Sequence, residues 1–326
     1  MDSLLDLIII NYNTKELSDK CITRLMELGL HKKFGIYYID NDSSDGSYEF
    51  INEKYGQHIT VVQNKENRGY SYAANQGIEL SSSRYVMILN TDIWMGDNFI
   101  STCLEYLEEH GNVGAVTGKL LKYDFDQMCS VNVIDSTGIA VYKNMRMVDR
   151  GQNEADIDKY NDSIHVFGVS GAAPIYRREA LDDIKLNDEY FDNDFFAYKE
   201  DIDLSWRLRT YGWECHYVPD AITYHGRAIG QPQKLKFLIK HRNTQSDFIK
   251  KLSFINSYLI LIKNANVKNV INAMPREVIK LFYILLFEPR LLSTIPEIFR
   301  KSKIMLKKRK AIKQHAKNRD SKLMLH

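Results

Sequence analysis

Three groups of residues have types and surroundings suited to chemistry. The first is Asp92, preceded by Asn90 and Thr91 and following the apolar run 85–89. A carboxylate at the carboxyl end of a strand is well placed to hold a divalent cation against a diphosphate. Mg²⁺ and Mn²⁺ take oxygen ligands and keep phosphate oxygens in their shell. An Asp there is equally an ordinary turn former. The second group is Glu200, Asp201 and Asp203. Carboxylates this close repel one another, and burial would raise the pKa of at least one, which makes a general base. The same residues also suit the solvated first turn of a helix. The third is His225, in Tyr224-His225-Gly226-Arg227. At a strand end an imidazole can complete a metal shell, contact a phosphate, or simply hold structure by hydrogen bonding.

The elements that must position these groups show in the pattern of apolar residues. Strands are expected at 4–10, 35–39, 59–62 and 85–89, with helices at 15–28, about 47–55, and from Asn67-Arg68-Gly69 through Ile78. Strands separated by helices imply right-handed βαβ units and a parallel sheet. Continuous apolar strands fit a sheet covered on both faces. Polar clusters follow three of the four strands: Asn11-Tyr12-Asn13, the run 40–45 with Asp40 and Asp42, and Asn90-Thr91-Asp92. Ligands bind outside the carboxyl ends of the strands in such sheets, so the clusters should converge. Further along, 113–117, 134–141 and 164–169 read as strands, 149–162 as an acidic loop, and 201–208 as a helix. Gly168-Val169-Ser170-Gly171-Ala172-Ala173 is a run of small residues where backbone can approach a ligand closely. From about Lys234 the pattern becomes helical, through Phe248, Leu252, Ile255, Leu259 and Ile262, with a second segment at 278–286 stopped by Glu288-Pro289. A boundary is expected near Gln231-Pro232.

Composition bounds the rest. The chain has 326 residues, 44% of them apolar and 26% charged, which excludes a collagen, a low-complexity coil and a disulfide miniprotein. The net charge of +2 is uneven: eleven Lys and Arg stand in 300–326 against Asp320 alone, so the preceding residues are net acidic. A basic tail suggests an anionic partner such as a membrane surface. Nucleic acid would also attract it, but no nucleic-acid-binding motif accompanies it, and nucleic acid is not expected as a partner. Cys21, Cys103, Cys129 and Cys215 form no C-x-x-C pair, and the start of the chain has no secretory leader pattern. Reduced thiols and a cytosolic chain are expected. No apolar run approaches the roughly 20 residues that span a bilayer.

Taken in order over about residues 5–230, seven segments resemble family 2 glycosyltransferases of the GT-A fold, particularly bacterial rhamnosyltransferase-like members. They are Ile10-Asn11-Tyr12-Asn13, Asp40-Asn41-Asp42-Ser43-Ser44-Asp45-Gly46-Ser47, Asn64-Lys65-Glu66-Asn67-Arg68-Gly69, Leu89-Asn90-Thr91-Asp92, Gly171-Ala172, Glu200-Asp201-Ile202-Asp203-Leu204, and Tyr224-His225. The resemblance implies an α/β fold with a Rossmann-like, mostly parallel sheet flanked by helices. The catalytic domain would be 1–231, with a nucleotide-sugar half at about 1–95 and an acceptor half at about 96–231. A helical, basic C-terminal region would follow at 232–326.

The same resemblance implies site roles. Tyr12 and Asp40 would hold the nucleotide base, with Asn13, Asp42 and Gly69 beside them, and Arg68 would line the nucleotide site. Asn90-Thr91-Asp92 stands where the family places its D-x-D metal motif. Asp201 matches the catalytic base, and His225 matches a histidine that helps bind the metal and diphosphate. Gly171 and Ala172, with Glu200 and Trp206, would border the donor sugar and acceptor. The sequence departs from the pattern at the metal motif, where Asn90 and Thr91 are neutral and Asp92 is the one charged ligand. One carboxylate plus substrate phosphates can still hold Mg²⁺. The implied activity is inverting transfer of a sugar, best matched by rhamnose from dTDP-rhamnose, to a saccharide or lipid-linked acceptor in cell-surface polysaccharide assembly. Mg²⁺ or Mn²⁺ would assist. The chain would work in the cytoplasm, peripheral to the inner face of the cell membrane, with a homodimer as one option.

Three rival readings are weighed against this. A serine hydrolase could use Ser170 with His225 and Asp220, but Gly171 directly follows Ser170, so G-x-S-x-G is not met. A catalytically silent nucleotide-sugar-binding module would suit the weakened metal motif but leaves Asp201 and His225 without a task. A dinucleotide-dependent oxidoreductase lacks G-x-G-x-x-G after the first strand, and no P-loop is present.

Overall fold

A computed structural model describes residues 3–227 and 246–316 of the chain. β1 (Leu5–Asn11) is buried along its whole length, as an apolar strand covered on both faces must be. It is followed by α1 (Lys15–Glu27), β2 (Gly35–Asp40), α2 (Ser47–Tyr55), β3 (Thr60–Gln63), α3 (Tyr70–Leu80) and β4 (Tyr85–Asn90). The four strands pair in parallel in the order β3-β2-β1-β4. Asn11 lies opposite Asp40, Asp40 opposite Gln63, and Ile10 opposite Asn90. That register brings the polar strand ends to one edge of the sheet. Each strand runs one residue beyond its apolar run, because ladder hydrogen bonds use the backbone and accept a polar side chain.

The second half makes the sheet mixed. β5 (Ile93–Trp94), α4 (Phe99–Glu109), β6 (Val113–Asp124), β7 (Cys129–Ser136), β8 (Ile139–Val141), β9 (Met147–Asp149), β10 (His165–Val166), β11 (Ile175–Arg177), α5 (Arg178–Asp183), α6 (Glu200–Tyr211) and β12 (Glu214–His225) complete it. β11 runs antiparallel between β4 and β6, and β12 lies parallel to β6, giving the order β10-β12-β6-β11-β4-β1-β2-β3. β8 and β9 form a separate two-stranded ribbon. The expected strand over 134–141 is therefore two strands broken at Thr137-Gly138, and 164–169 is a strand only at His165–Val166. The strand that ends at His225 is twelve residues long, with an irregularity between Val218 and Ile222 that its polar Asp220 helps to hide from an apolar pattern.

Helices cover both faces. α1, α2 and α4 close one face over Leu7, Ile9, Met87 and Leu89, while α3, α5 and α6 close the other over Ile8, Ile10, Val86 and Ile88. α3 lies so close to β1 that a Cβ at Gly77 would stand 2.2 Å from Ile8 Cγ2, so only glycine permits the approach.

The expected boundary near Gln231-Pro232 lies outside the described residues. Beyond it stand α7 (Asp247–Asn264), α8 (Val267–Phe287) and α9 (Ile295–His315). α8 starts well before the expected segment at 278–286, because the Asn266 side chain caps it by accepting from Asn269 N at 2.9 Å. α7 and α9 dock on the sheet-containing body rather than standing apart. Lys263 of α7 reaches both Asp192 and Asp203 at 2.7 Å, and Arg207 reaches Asp203 at 2.9 Å. Lys308 of α9 reaches Asp192 at 2.5 Å and Asp194 at 2.8 Å. Met305 and Ile312 of α9 are buried in the same packing. Part of the basic stretch thus neutralises internal carboxylates, while Lys303, Lys307, Lys310 and Lys313 remain exposed. Among the described residues no helix is long and apolar enough to cross a membrane.

Candidate active site

The parallel-strand edge is organised first by Asn11. Its Nδ2 donates to Asp40 Oδ2 at 2.7 Å and to Ser43 Oγ at 2.9 Å, while its Oδ1 accepts from Thr14 Oγ1 at 2.6 Å. Ser43 N donates to the other Asp40 oxygen at 2.9 Å. Asp40 is buried with both oxygens engaged, so it shapes the loop after β2, while Asp42 beside it is exposed. Asn13 Oδ1 accepts from Ser44 N at 2.7 Å, which ties the first two polar clusters together. Tyr12 stands half exposed above this edge, where a ring can stack on a base. Arg68 is also half exposed and lies over the Tyr72 ring at 3.8 Å. Gly69 has φ +93°, and a Cβ there would meet the Phe196 carbonyl oxygen at 2.6 Å.

The second part is a chain of charges. Thr91 Oγ1 hydrogen-bonds Thr14 Oγ1 at 2.8 Å, anchoring the segment that carries Asp92. Asp92 keeps 30% of its side chain exposed, and its Oδ1 stands 3.1 Å from His225 Nε2. His225 Nδ1 in turn lies 2.7 Å from Asp135 Oδ2. Arg227 follows, 3.6 Å from Asp135 and 2.9 Å from Asp149. Burial opposes a charge on His225, yet hydrogen bonds to Asp135 and Asp92 carry its pKa up to about 9. Burial likewise opposes ionisation of Asp92 and Asp135, but His225 and Arg227 hold both below the ordinary carboxylate value. Both imidazole nitrogens face carboxylates, which leaves none for Ser170, itself buried. Asp135 went unnoticed in the sequence because it lies within a strand and carries no motif.

The third part is the start of α6. Gly171 N donates to Asp201 Oδ2 at 3.1 Å, and Ile202 N donates to Asp201 Oδ1 at 2.8 Å. Burial and the Asp149 charge raise the pKa of Asp201, while these backbone donors favour its ionised form. Burial and the neighbouring Asp201 push Glu200 upward as well. Glu200 Oε2 is buried with no hydrogen-bond partner among the described residues. Tyr70 joins the two halves: its hydroxyl bonds Asn90 Oδ1 at 3.0 Å and the Gly171 carbonyl at 3.1 Å. Burial raises its pKa well above the usual value, with the charges of Glu200, Asp201 and Asp92 adding to the effect. Asn90 N also donates to the Ala172 carbonyl at 2.9 Å. Asp92, His225 and Asp201 therefore gather around one rim.

The loop before α6 is held in an unusual shape. Phe196, Tyr198 and Lys199 all have positive φ, which costs non-glycine residues energy unless the surroundings hold them. Asn256 of α7 supplies that hold, with its Nδ2 lying 2.8 Å from the carbonyls of Phe195, Ala197 and Tyr198. Two residues of this stretch, the third clustered carboxylate and the tryptophan expected near the sugar, lie away from the rim. Asp203 points to the opposite side of α6 from Asp201 and belongs to the buried ion network with Lys263 and Arg207. Trp206 is buried edge-on against Phe167, among Ile255 and Leu259, rather than in the sugar loop.

A divalent cation fits at Asp92 and His225 once His225 Nε2 gives up its proton to make way for the ion. Two ligands at right angles about 2.1 Å from one ion stand roughly 3 Å apart, close to the 3.1 Å between Asp92 Oδ1 and His225 Nε2. The Asp135 carboxylate behind Nδ1 is the support that metal-binding imidazoles use. A carboxylate with an imidazole suits Mn²⁺ better than Mg²⁺. A second group of potential ligands, His165, Glu214 and His216, lies at the opposite end of β12 from His225 and is separate from this rim.

Residues 6–185 match the family described as glycosyl transferase family 2. Poly-beta-1,6-N-acetyl-D-glucosamine synthase of Staphylococcus epidermidis is 27% identical over 215 residues, 65% of this chain and 47% of that protein. The Staphylococcus aureus enzyme of the same name is also 27% identical over 215 residues, with the same coverage. The chain thus spans about half the length of the curated relatives it matches. Among solved structures, GalNAc-T7 with UDP, GalNAc and Mn²⁺ aligns with a TM-score of 0.57 at 13% identity, over 79% of this chain and 48% of that one. The mannosyltransferase PcManGT from Pyrobaculum calidifontis, in complex with GDP-Man and Mn²⁺, aligns with a TM-score of 0.50 at 15% identity, over 94% of this chain and 87% of that one.

Proposed function

The chain belongs to glycosyl transferase family 2 and has the GT-A fold, and from that premise we propose that it moves a sugar from a nucleotide diphosphate donor to an acceptor hydroxyl with inversion. The observation that carries this reading is the meeting of Asp92, His225 and Asp201 around Tyr70. Tyr12, at the edge of the parallel strands, stacks on the donor base. Asp201, anchored by Gly171 N and Ile202 N, accepts the proton of the attacking hydroxyl. Its upward pKa makes it a better base than an ordinary Asp. Glu200, beside it at the same helix start, is also pushed up by burial and by Asp201, which favours its protonated form and spares Asp201 a neighbouring charge. The acceptor oxygen attacks the anomeric carbon from the face opposite the leaving diphosphate, in one displacement and without a covalent enzyme intermediate.

Asp135 fixes the orientation of His225 so that Nε2 meets the diphosphate side of the rim. Asp92 and His225 would hold Mn²⁺ or Mg²⁺, which would supply Lewis-acid stabilisation of the charge that grows on the leaving diphosphate. We propose dTDP-rhamnose as the first donor to test, on the strength of the motif set. The comparison donor is nucleotide-activated N-acetylglucosamine, the sugar in the name of the staphylococcal relatives. The acceptor is a saccharide or a lipid-linked saccharide in surface polysaccharide assembly, met at the cytoplasmic face of the membrane.

A thermal-shift screen of nucleotide sugars with and without Mn²⁺ tests donor binding, since a ligand that binds only the folded state raises the melting temperature. Asp201→Asn is then expected to keep the donor-induced shift and lose transfer. Near-full turnover by that variant would remove Asp201 as the base. Donor binding without transfer by the unaltered protein would favour a silent binding module.

A further inference from the structure

α8 (Val267–Phe287) presents an unusual surface. Ile271, Val278, Ile279, Phe282 and Leu286 are exposed, with Ile279 at 71%, Phe282 at 63% and Leu286 at 73%. An apolar face of this extent on a soluble domain marks an interaction site. The helix is not apolar enough to cross a bilayer. A helix with one apolar face and basic flanks instead lies along the headgroup layer.

On its inner side, α8 borders a cavity of about 140 Å³ lined by Arg146, Lys199, Arg276, Lys280, Ser257 and Met145. Four cations thus face one small space. The carboxylate paired with them is Glu277, whose Oε1 accepts from Arg276 Nε at 3.0 Å and whose Oε2 lies 3.4 Å from Lys280 Nζ. The Lys280 ammonium sits over the Tyr258 ring at 4.6 Å. Burial pulls the Lys280 pKa down to about 8, and Arg276 and Lys199 oppose its charge further, although Glu277 supports it. Burial lowers Lys199 also. Crowded, partly buried cations are costly, and an anion relieves that cost. The cavity adjoins the catalytic rim directly, because Lys199 is the N-cap of α6 and immediately precedes Glu200 and Asp201.

We propose that this cavity takes the phosphate or diphosphate of a lipid-anchored acceptor, with the apolar face of α8 lying in the headgroup layer of the membrane that carries it. The proposal rests on the sugar-transfer reading and names its acceptor class. An acceptor held this way has its lipid along α8 and its sugar directed toward Asp201. Charge favours a lipid surface over a second copy of the chain. Lys268 on α8 itself and Arg290 just beyond its end are exposed, the latter 3.5 Å from Asp247, and a two-fold contact through α8 would set like charges against one another.

The test is flotation of the full chain with phosphatidylcholine vesicles alone, doped with a polyprenyl monophosphate, or doped with phosphatidylserine to equal charge. Inorganic pyrophosphate serves as competitor. The variants are Arg276→Gln/Lys280→Gln and Ile279→Ser/Phe282→Ser, each checked for an unchanged donor-induced thermal shift. The unaltered protein is expected to favour polyprenyl phosphate over phosphatidylserine and to lose that preference with pyrophosphate. The pocket variant should lose roughly 30-fold in affinity for the polyprenyl phosphate vesicles, the worth of two cations near an anionic surface. The α8 variant should lose binding to all three. Equal flotation on all three vesicles, or full affinity in the pocket variant, overturns the proposal. So does a dimer that Ile279→Ser/Phe282→Ser dissociates in the absence of vesicle binding. Absent flotation with donor binding and transfer to a soluble sugar intact removes this inference alone. Absent donor binding removes the transfer reading itself.

Discussion

Lys263→Met should show that the C-terminal helices and the sheet-containing body stabilise one another. The ammonium lies 2.7 Å from a carboxylate oxygen of Asp192 and 2.7 Å from one of Asp203, and all three side chains are buried. Met fills most of the volume and supplies no charge. Asp203 keeps Arg207 at 2.9 Å and Asn264 at 2.8 Å, while Asp192 keeps Lys308. Removing one partner from a buried ion pair costs about 3–5 kcal/mol, and the remaining partners place this case near the lower end, about 3 kcal/mol. Asp203→Asn in the Lys263→Met background restores the balance of charge, so the pair should couple by about 1–3 kcal/mol in a double-mutant cycle.

The effect of pH has a definite sign. Burial opposes the charges on Asp192 and Asp203, yet Lys263, with Lys308 for one and Arg207 for the other, holds both below the ordinary carboxylate value. Their stabilisation is therefore present above the unfolded pKa, about 3.9, and is lost as pH falls through the lower folded values. Without Lys263 burial is less opposed, the folded pKa values rise, and protonation relieves the variant first. The gap between the two proteins should be widest near pH 7 and should narrow toward pH 4. Urea unfolding followed by circular dichroism at both values measures it. A gap under about 1 kcal/mol at pH 7, or one that grows on acidification, would refute the buried network as a source of stability.

Other changes probe the rim itself. Asn256→Ala leaves the carbonyls of Phe195, Ala197 and Tyr198 without their shared donor. It should cost about 1–3 kcal/mol in thermal unfolding and lower kcat more than donor affinity. Gly69→Ala sets a Cβ 2.6 Å from the Phe196 carbonyl in a left-handed conformation, and a lower melting temperature with weakened donor binding is expected. Asp135→Asn removes the charge behind His225. It should weaken Mn²⁺ binding by calorimetry, or activity, roughly 10- to 100-fold. The raised His225 pKa gives stability that is full below the unfolded value, about 6.5, and is lost as pH rises through about 9. The stability lost in Asp135→Asn should therefore fade above pH 9, as measured by unfolding across that range.

Local pattern was enough for the alternation of strands and helices through residue 90 and for the polar clusters at the strand ends. A strand buried on both faces must be continuously apolar, and the chain turns where that run ends, as at Asn11 and Asn90. Asp92, Asp201 and His225 were legible because each sits at such an end or at a helix start, in an order shared with a known family. The placement of Asp203 followed helical geometry more than charge: two positions along a helix turn a side chain by about 200°, away from the face of its neighbour. That rotation sends Asp203 to Lys263 and leaves Asp201 on Gly171. Trp206 likewise turned inward, onto Phe167.

Asp135, Tyr70 and Asn256 became visible only in three dimensions. Each acts through a partner far along the chain: His225 for Asp135, Gly171 for Tyr70, and the 195–198 carbonyls for Asn256. Nothing in their own neighbourhoods marks them. The basic tail shows the same limit. Composition records how many cations it carries, but helical packing on a body already holding Asp192 and Asp194 decides that Lys308 turns inward while Lys307 faces solvent. Sequence sets which short segments are strands, turns or caps, because those preferences act over a few residues. Only tertiary packing sets which charges meet, because a carboxylate and its cation can be brought together from any distance along the chain once burial makes their separation costly.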